Sequence, residues 1–211
     1  MTGRFITFEG IDGSGKTTQI ELLEKKLTIE KISYLILREP GGTKLSERIR
    51  DILLDSKNIS LSSESESLLF VAARAQLMKE KIKPALQQGC FVICDRFVDS
   101  TVAYQGYGRG LNMGYLEKLN NFGTDNIYPE FTIILDIDPN KAMRRLQRTA
   151  PDRMESIGID FFEKVQEGYY QIAKRYPDRC MIINGDQPVD IVFSLIYQSI
   201  NERIIKEMAC N

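Results

Sequence analysis

Residues 10–17 read Gly-Ile-Asp-Gly-Ser-Gly-Lys-Thr, a match to G-x-x-x-x-G-K-T, and the flanking residues leave little freedom in how the chain begins. Before the match, Phe5-Ile6-Thr7-Phe8 is apolar and β-prone; after it, Ile20, Leu23 and Leu27 recur at helical spacing. Strand, glycine-rich loop and helix, in that order, is the context that separates a phosphate-binding loop from a chance turn with a solvated Lys16. Gly13 and Gly15 permit turns that a β-carbon blocks, so N–H groups can face one anion at the positive end of the helix. The expected ligand is a nucleoside triphosphate held by Gly10, Ile11, Asp12, Gly13, Ser14, Gly15, Lys16, Thr17 and Thr18. Lys16 places a full charge near the outer phosphates, and the Thr17 hydroxyl is placed for a magnesium ion.

Apolar runs at residues 34–37, 90–94, 131–137 and 181–183 alternate with helical segments. With the first strand they predict an α/β fold whose five parallel strands are covered by helices on both faces. Leu45, Ile49, Ile52 and Leu53 mark an amphipathic helix carrying Arg48 and Arg50. Ser63-Glu64-Ser65-Glu66 fits a capping box for a longer helix through Phe70, Arg74 and Met78, with a stop at Gly89. Ligands of such sheets gather at the carboxyl edge, where Gly10, Arg38-Glu39 and Asp95-Arg96 converge. There the Asp95 carboxylate can order magnesium and its water, and the Arg96 guanidinium can grip a phosphate bidentately. The same pair also reads as a salt bridge capping a strand.

The 211 residues suffice for one core, so a single domain over residues 1–211 is expected. A net charge of -1 lacks the broad basic surface of a nucleic-acid binder. No run reaches the length of a membrane span, and the chain begins directly in a strand, which points to the cytoplasm. Cys90, Cys94, Cys180 and Cys210 show no Cys-x-x-Cys pairing; Cys90 and Cys94, about 13 Å apart along one strand face, are too distant to bridge, so reduced thiols are expected. With no histidine, a zinc site and a His-based triad are excluded.

Four stretches resemble the thymidylate kinase family: residues 8–18 (FEGIDGSGKTT), 38–43 (REPGGT), 70–76 (FVAARAQ) and, most specifically, 95–110 (DRFVDSTVAYQGYGRG). The resemblance covers nearly the whole chain. It implies a P-loop NTPase fold with a short lid at about residues 144–157, and transfer of the γ-phosphoryl group of ATP to dTMP with Mg2+. It further implies that Asp12 accepts a hydrogen bond from the sugar 3′-hydroxyl, that Phe70 stacks on thymine, and that Arg74 donates to a base carbonyl or the phosphate. Thr101 and Gln105 would read the pyrimidine edge, and Tyr104 would close the space around C2′ against ribonucleotides. Arg96, with Arg38, Arg50 and Ser100, would complete the dTMP site. Read without the resemblance, Phe70 is core and Arg38 and Arg50 are solvated.

The arginine-rich residues 144–155 read as a flap over the triphosphate, or as a solvated charge run. Some members of the family carry a catalytic arginine inside the phosphate loop. Gly13 stands there instead, so the chain resembles the bacterial type that draws it from the lid, with Arg153 first and Arg148 second. Lys16, Arg96 and that arginine are the expected catalytic residues. The resemblance also implies a homodimer, for which Leu68, Val71 and Ala75 form a candidate contact. Two other readings stay open: a related P-loop kinase with another nucleotide or deoxynucleoside acceptor, and a nucleotide-dependent switch without a small-molecule acceptor.

Overall fold

In chain order, the elements are β1 (Arg4–Glu9), α1 (Lys16–Ile29), β2 (Tyr34–Arg38), α2 (Lys44–Leu54), α3 (Ser63–Leu77), α4 (Lys83–Gln87), β3 (Phe91–Asp95), α5 (Val98–Thr101), α6 (Met113–Thr124), β4 (Phe131–Asp136), α7 (Pro139–Leu146), α8 (Ile159–Arg175), β5 (Cys180–Asn184) and α9 (Val189–Ile200). The computed structural model describes residues 3–58, 60–146 and 152–205. All strand pairs are parallel, in the order β2-β3-β1-β4-β5. β1 is central, so the loop that follows it opens in the middle of the carboxyl edge.

Alternation along the strands fills both faces. Ile6, Phe8, Ile93 and Leu135 pack with Leu23 and Leu27 of α1 and Ile196 of α9. On the opposite face Phe5, Val92 and Cys94 meet Leu77, Ile82 and Leu86 from α3 to α4, while Ile134 meets Phe162 and Val165 of α8. Each such fully buried side chain contributes about 1.5–3 kcal/mol, which is what keeps the sheet edge rigid enough to carry a site.

Several sequence expectations shift by a residue or a face. β3 starts at Phe91, leaving Cys90 outside it, and Cys90, Cys94 and Cys180 are free thiols. In α2 the inward positions are Ser46, Ile49 and Leu53, spaced three and four apart; Leu45 and Ile52 fall outside that stripe and are exposed. α3 is capped one residue earlier than the capping box implied: Ser62 Oγ accepts from Ser65 N, and Glu66 turns inward rather than back to the cap. Val71 is buried, with Gly123 of α6 so close that a β-carbon there would lie 2.9 Å from it, so Val71 is an intrachain contact; Leu68 stays exposed.

Candidate active site

The backbone of residues 10–15 explains its glycines. Gly13 (φ 79°) and Gly15 (φ 98°) are left-handed, and a β-carbon on Gly13 would lie 2.6 Å from the Ala142 carbonyl of α7. An arginine at that position would therefore have to push α7 away from the loop. Lys16 is buried, and its amine donates to the carbonyls of Gly10 (3.1 Å) and Ile11 (3.0 Å). Burial and the neighbouring Arg96 push its pKa down, opposed by Asp95, Asp12 and Glu9.

Two adjoining cavities meet at the carboxyl edge. The first is lined by the phosphate loop from Asp12 to Thr18, by Arg38, Asp95 and Arg96, and by Arg145 of α7. Gly10, Ile11 and Ser14 lie buried beneath it; the Ile11 side chain packs into the core beside Tyr104 and Ala142. The second lies between Phe70 and Arg74 of α3 and the segment carrying Ser100, Thr101, Tyr104 and Gln105. Asp12, Glu39, Arg50 and Arg96 line both cavities.

That segment is α5 continued by a π-wound stretch, Val102–Gly108, whose closing bond runs from Arg109 N to Tyr104 O. Wider winding is common where a helix serves a site. Here it presents Thr101, Tyr104 and Gln105 to the second cavity; Thr101 Oγ1 is buried without a hydrogen-bond partner among the described residues. A ligand atom would satisfy it.

Arg96 is the centre of the polar network. Its φ of 69° is unusual for a residue with a side chain, and its guanidinium donates to Asp12 (2.7 Å), Gly10 O (2.9 Å), Ser100 (3.2 Å) and Tyr169 (3.3 Å). Asp12 also accepts from the Tyr104 hydroxyl (3.1 Å). Burial would raise its carboxyl, but Arg96, Lys16 and these hydrogen bonds outweigh that and hold it at about 2. Glu9, fully buried, accepts from Phe97 N, Ser100 and Tyr169. Its burial, with Asp99 nearby, pushes it up to about 7.

Arg74 is also buried, ion-paired to Glu39 at 2.8 Å and donating to Asn120 Oδ1 and Phe97 O. These bonds leave one Nη1 hydrogen over, on a residue that lines the second cavity. Arg38 pairs with Glu47, and Arg50 donates to Pro40 O. Phe70 is half-buried on the cavity wall, so it is neither a closed core residue nor a free one.

The lid expectation fares differently. Arg153 does not line either cavity: it is buried, donating to Leu53 O (2.7 Å) and to Glu66 (2.7 Å). Arg148 lies outside the described residues. Among the described arginines of this segment, Arg145 faces the phosphate loop: it donates to Gly13 O at 3.1 Å and neighbours Asp186. Nothing in the sequence singles out Arg145 from its neighbours, and the sequence pattern marks Glu66 only as part of a capping box. The signal for Glu66 was its spacing: Glu66, Phe70 and Arg74 recur every four residues on one face.

Magnesium fits the first cavity chemically. Asp95 Oδ1 is buried with no partner among the described residues, and the Thr17 hydroxyl lines the same space. Two hard oxygens beside a phosphate site suit an ion that takes most of its ligands from water and phosphate. Among the described residues no cluster of three or more acidic, Cys or His side chains forms a complete protein cage for a metal.

Comparison with known proteins places this geometry. The family model for thymidylate kinase matches residues 8–196. The thymidylate kinase of Caldanaerobacter subterraneus subsp. tengcongensis is 45% identical over 202 residues, 96% of this chain and 97% of its own. That of Lactobacillus acidophilus is 43% identical over the full length of both. A crystal structure of thymidylate kinase from Ehrlichia chaffeensis superposes with a TM-score of 0.79 at 38% identity, covering 95% of this chain and all of that one. The phosphate loop, the aromatic-walled second cavity and these matches agree that the chain belongs to the thymidylate kinase family.

Proposed function

We propose that this chain transfers the γ-phosphoryl group of ATP to the 5′-phosphate of dTMP, forming dTDP and ADP. The observation that carries the reading is the sharing of Asp12, Glu39, Arg50 and Arg96 by two cavities, one built for phosphates and one walled by an aromatic ring and directed hydrogen-bonding groups. Two anionic nucleotides meet there. An oxygen of the acceptor phosphate attacks the γ-phosphorus in line and the bond to the β-γ bridging oxygen breaks. The attacking oxygen is already ionised, so no strong base is required and the task is electrostatic.

Lys16, once drawn from its loop carbonyls to the phosphates, and Arg96, across the junction, carry that task. Magnesium, held through Thr17 and Asp95, would supply charge neutralisation between the β- and γ-phosphates. Asp12 orients Arg96 and is placed for the sugar hydroxyl. Phe70 supplies the stacking surface, Arg74 and Gln105 the base contacts, and Ser100, Arg38 and Arg50 flank the acceptor phosphate. A ribose 2′-hydroxyl would meet the Tyr104 ring with neither room nor partner. Residues 144–157 act as the lid over the triphosphate. Arg153 reaches the reacting phosphate only if its pair with Glu66 opens, so Arg145 is the better-placed lid arginine in this arrangement.

The chain acts as one domain and, in this reading, as a homodimer: Leu68 on α3 and Tyr115 and Phe122 on the α6 packed beside it are exposed apolar groups. No described helix is long and apolar enough to cross a membrane. Free thiols at Cys90, Cys94 and Cys180 and the nucleotide substrates support the cytoplasm as its location. The test is a panel of acceptors with labelled ATP: dTMP is the best acceptor and dUMP the second. If dTMP is ignored at millimolar levels while ATP is spent on another acceptor, the related-kinase reading replaces this one. ADP formation independent of any acceptor would favour the switch.

A further inference from the structure

Glu66 is fully buried at the start of α3, four residues before Phe70 and eight before Arg74, yet it lines neither cavity. Four donors converge on its two oxygens. Oε1 accepts from Gln105 Nε2 (2.9 Å) and Arg109 Nε (3.2 Å); Oε2 accepts from Arg109 Nη2 (2.9 Å) and Arg153 Nη1 (2.7 Å). Burial would raise its carboxyl, but the hydrogen bonds from Arg109, Gln105 and Arg153 hold it below the ordinary range. It is therefore a carboxylate that can only accept.

This settles which way the Gln105 amide points. An amide oxygen cannot face an acceptor-only partner, so the nitrogen turns to Glu66 and the oxygen turns away, toward the cavity that Gln105 lines. Arg74 lines the same cavity, and its Nη1 keeps one hydrogen beyond the bond to Asn120, so it is available as a donor. The lining thus offers one acceptor and one donor to a bound base. A thymine or uracil edge presents N3–H beside the O4 acceptor and matches both; a cytosine edge presents an N3 acceptor beside an amino donor and matches neither.

We propose that Glu66 is a positioning residue for base selection: by holding the Gln105 amide in one orientation it makes the pocket accept N3–H pyrimidines and reject cytosine. The inference rests on the dTMP reading of the site. Replacing Glu66 by glutamine reverses the Gln105 half of this arrangement, while the Arg74 donor stays. The amide oxygen of the new side chain stays with the shorter contacts at the Oε2 position (2.9 and 2.7 Å), and its NH2 takes the Oε1 position and faces Gln105, giving up the 3.2 Å bond from Arg109 Nε. Gln105 then flips and presents NH2 to the cavity, which suits N3 of cytosine.

The experiment compares kcat/KM for dTMP and dCMP in the wild type and in Glu66→Gln, with circular dichroism and thermal melts as the check on folding. The expected result is a fall of about tenfold or more in the dTMP/dCMP ratio, carried by the acceptor KM with the ATP KM unmoved. A folded variant that loses activity on both acceptors equally, or keeps the wild-type ratio, overturns the proposal, because a purely structural carboxylate would do that. If Glu66→Gln leaves Arg109 and Arg153 too repulsive to fold, Glu66→Gln with Arg109→Met keeps the net charge of the cluster and is read by the same ratio. A wild type with no activity on dTMP would overturn the function itself, which is a different result from an unmoved ratio.

Discussion

Arg96 Nη2 stands 2.7 Å from Asp12 Oδ1, tying the loop after β3 to the loop after β1 across the junction of the two cavities. The contact keeps a guanidinium, already held by Gly10 O and Ser100, aimed at the space between donor and acceptor. Arg96 sits at φ 69°, a conformation that costs a side-chain-bearing residue on the order of 1 kcal/mol and is tolerated where geometry is worth more than comfort.

Arg96→Lys keeps the charge and loses the fork. A lysine cannot hold Asp12, the loop carbonyl and a phosphate oxygen together. The expected outcome is a fall of roughly 10²-fold or more in kcat/KM for dTMP with the fold retained, measured by steady-state kinetics alongside circular dichroism. A near-normal rate would show that the junction is structural.

Lys16→Ala removes a buried amine whose hydrogen bonds among the described residues go to two loop carbonyls. Folding therefore loses little, since burial already disfavours the charge. Turnover, in contrast, loses the cation nearest the outer phosphates, and a drop of roughly 10²–10³-fold in kcat is expected. Normal turnover in the folded variant would exclude the electrostatic mechanism.

Arg145 and Arg153 separate cleanly by readout. Arg145 is exposed and touches Gly13 O, so Arg145→Ala should lower kcat with the melting temperature nearly unchanged. Arg153 is buried against Glu66, and Arg153→Ala leaves part of that carboxylate uncompensated, a loss of about 3 kcal/mol in urea unfolding. The opposite pattern, with Arg153→Ala folding normally but failing to turn over, would restore Arg153 as the lid arginine.

The sequence made the sheet and the phosphate loop readable because both are local: apolar runs of strand length, and a glycine pattern whose spacing has a mechanical cause. Boundaries moved by a residue at β3, where Cys90 reads as apolar but falls before the first pairing, Arg4 with Phe91. The cavity walls came from the resemblance. Without it, Phe70 in an apolar helix looks like core, and only the folded chain shows it half-buried beside Arg74. What stayed hidden were partnerships between distant residues. Arg153 meets Glu66 across 87 positions, and Arg145 meets Gly13 across 132; neither end carries a local pattern that names the other. An arginine-rich segment announces that arginines are near the triphosphate, but which one faces it depends on how α7 lies against the loop.

Glu9 gives a stability signature that can be isolated. It is buried beside Asp99, and its partners Phe97 N, Ser100 and Tyr169 and the nearby Arg96 do not fully offset that, so its carboxyl titrates at about 7 when folded against an ordinary 4.5. The folded state therefore keeps a proton that the unfolded chain has released between those two values. Its contribution to stability is complete below about pH 4.5, declines as the pH rises toward 7, and is gone above it. A shift of that size is worth on the order of 3 kcal/mol. The chain has no histidine, so few other side chains titrate in this window. Glu9→Gln stays neutral at every pH, and urea unfolding from pH 5 to pH 8 should show the wild type losing on the order of 3 kcal/mol more than the variant. Parallel curves for the two proteins would mean that Glu9 is ionised throughout and that its hydrogen bonds outweigh its burial.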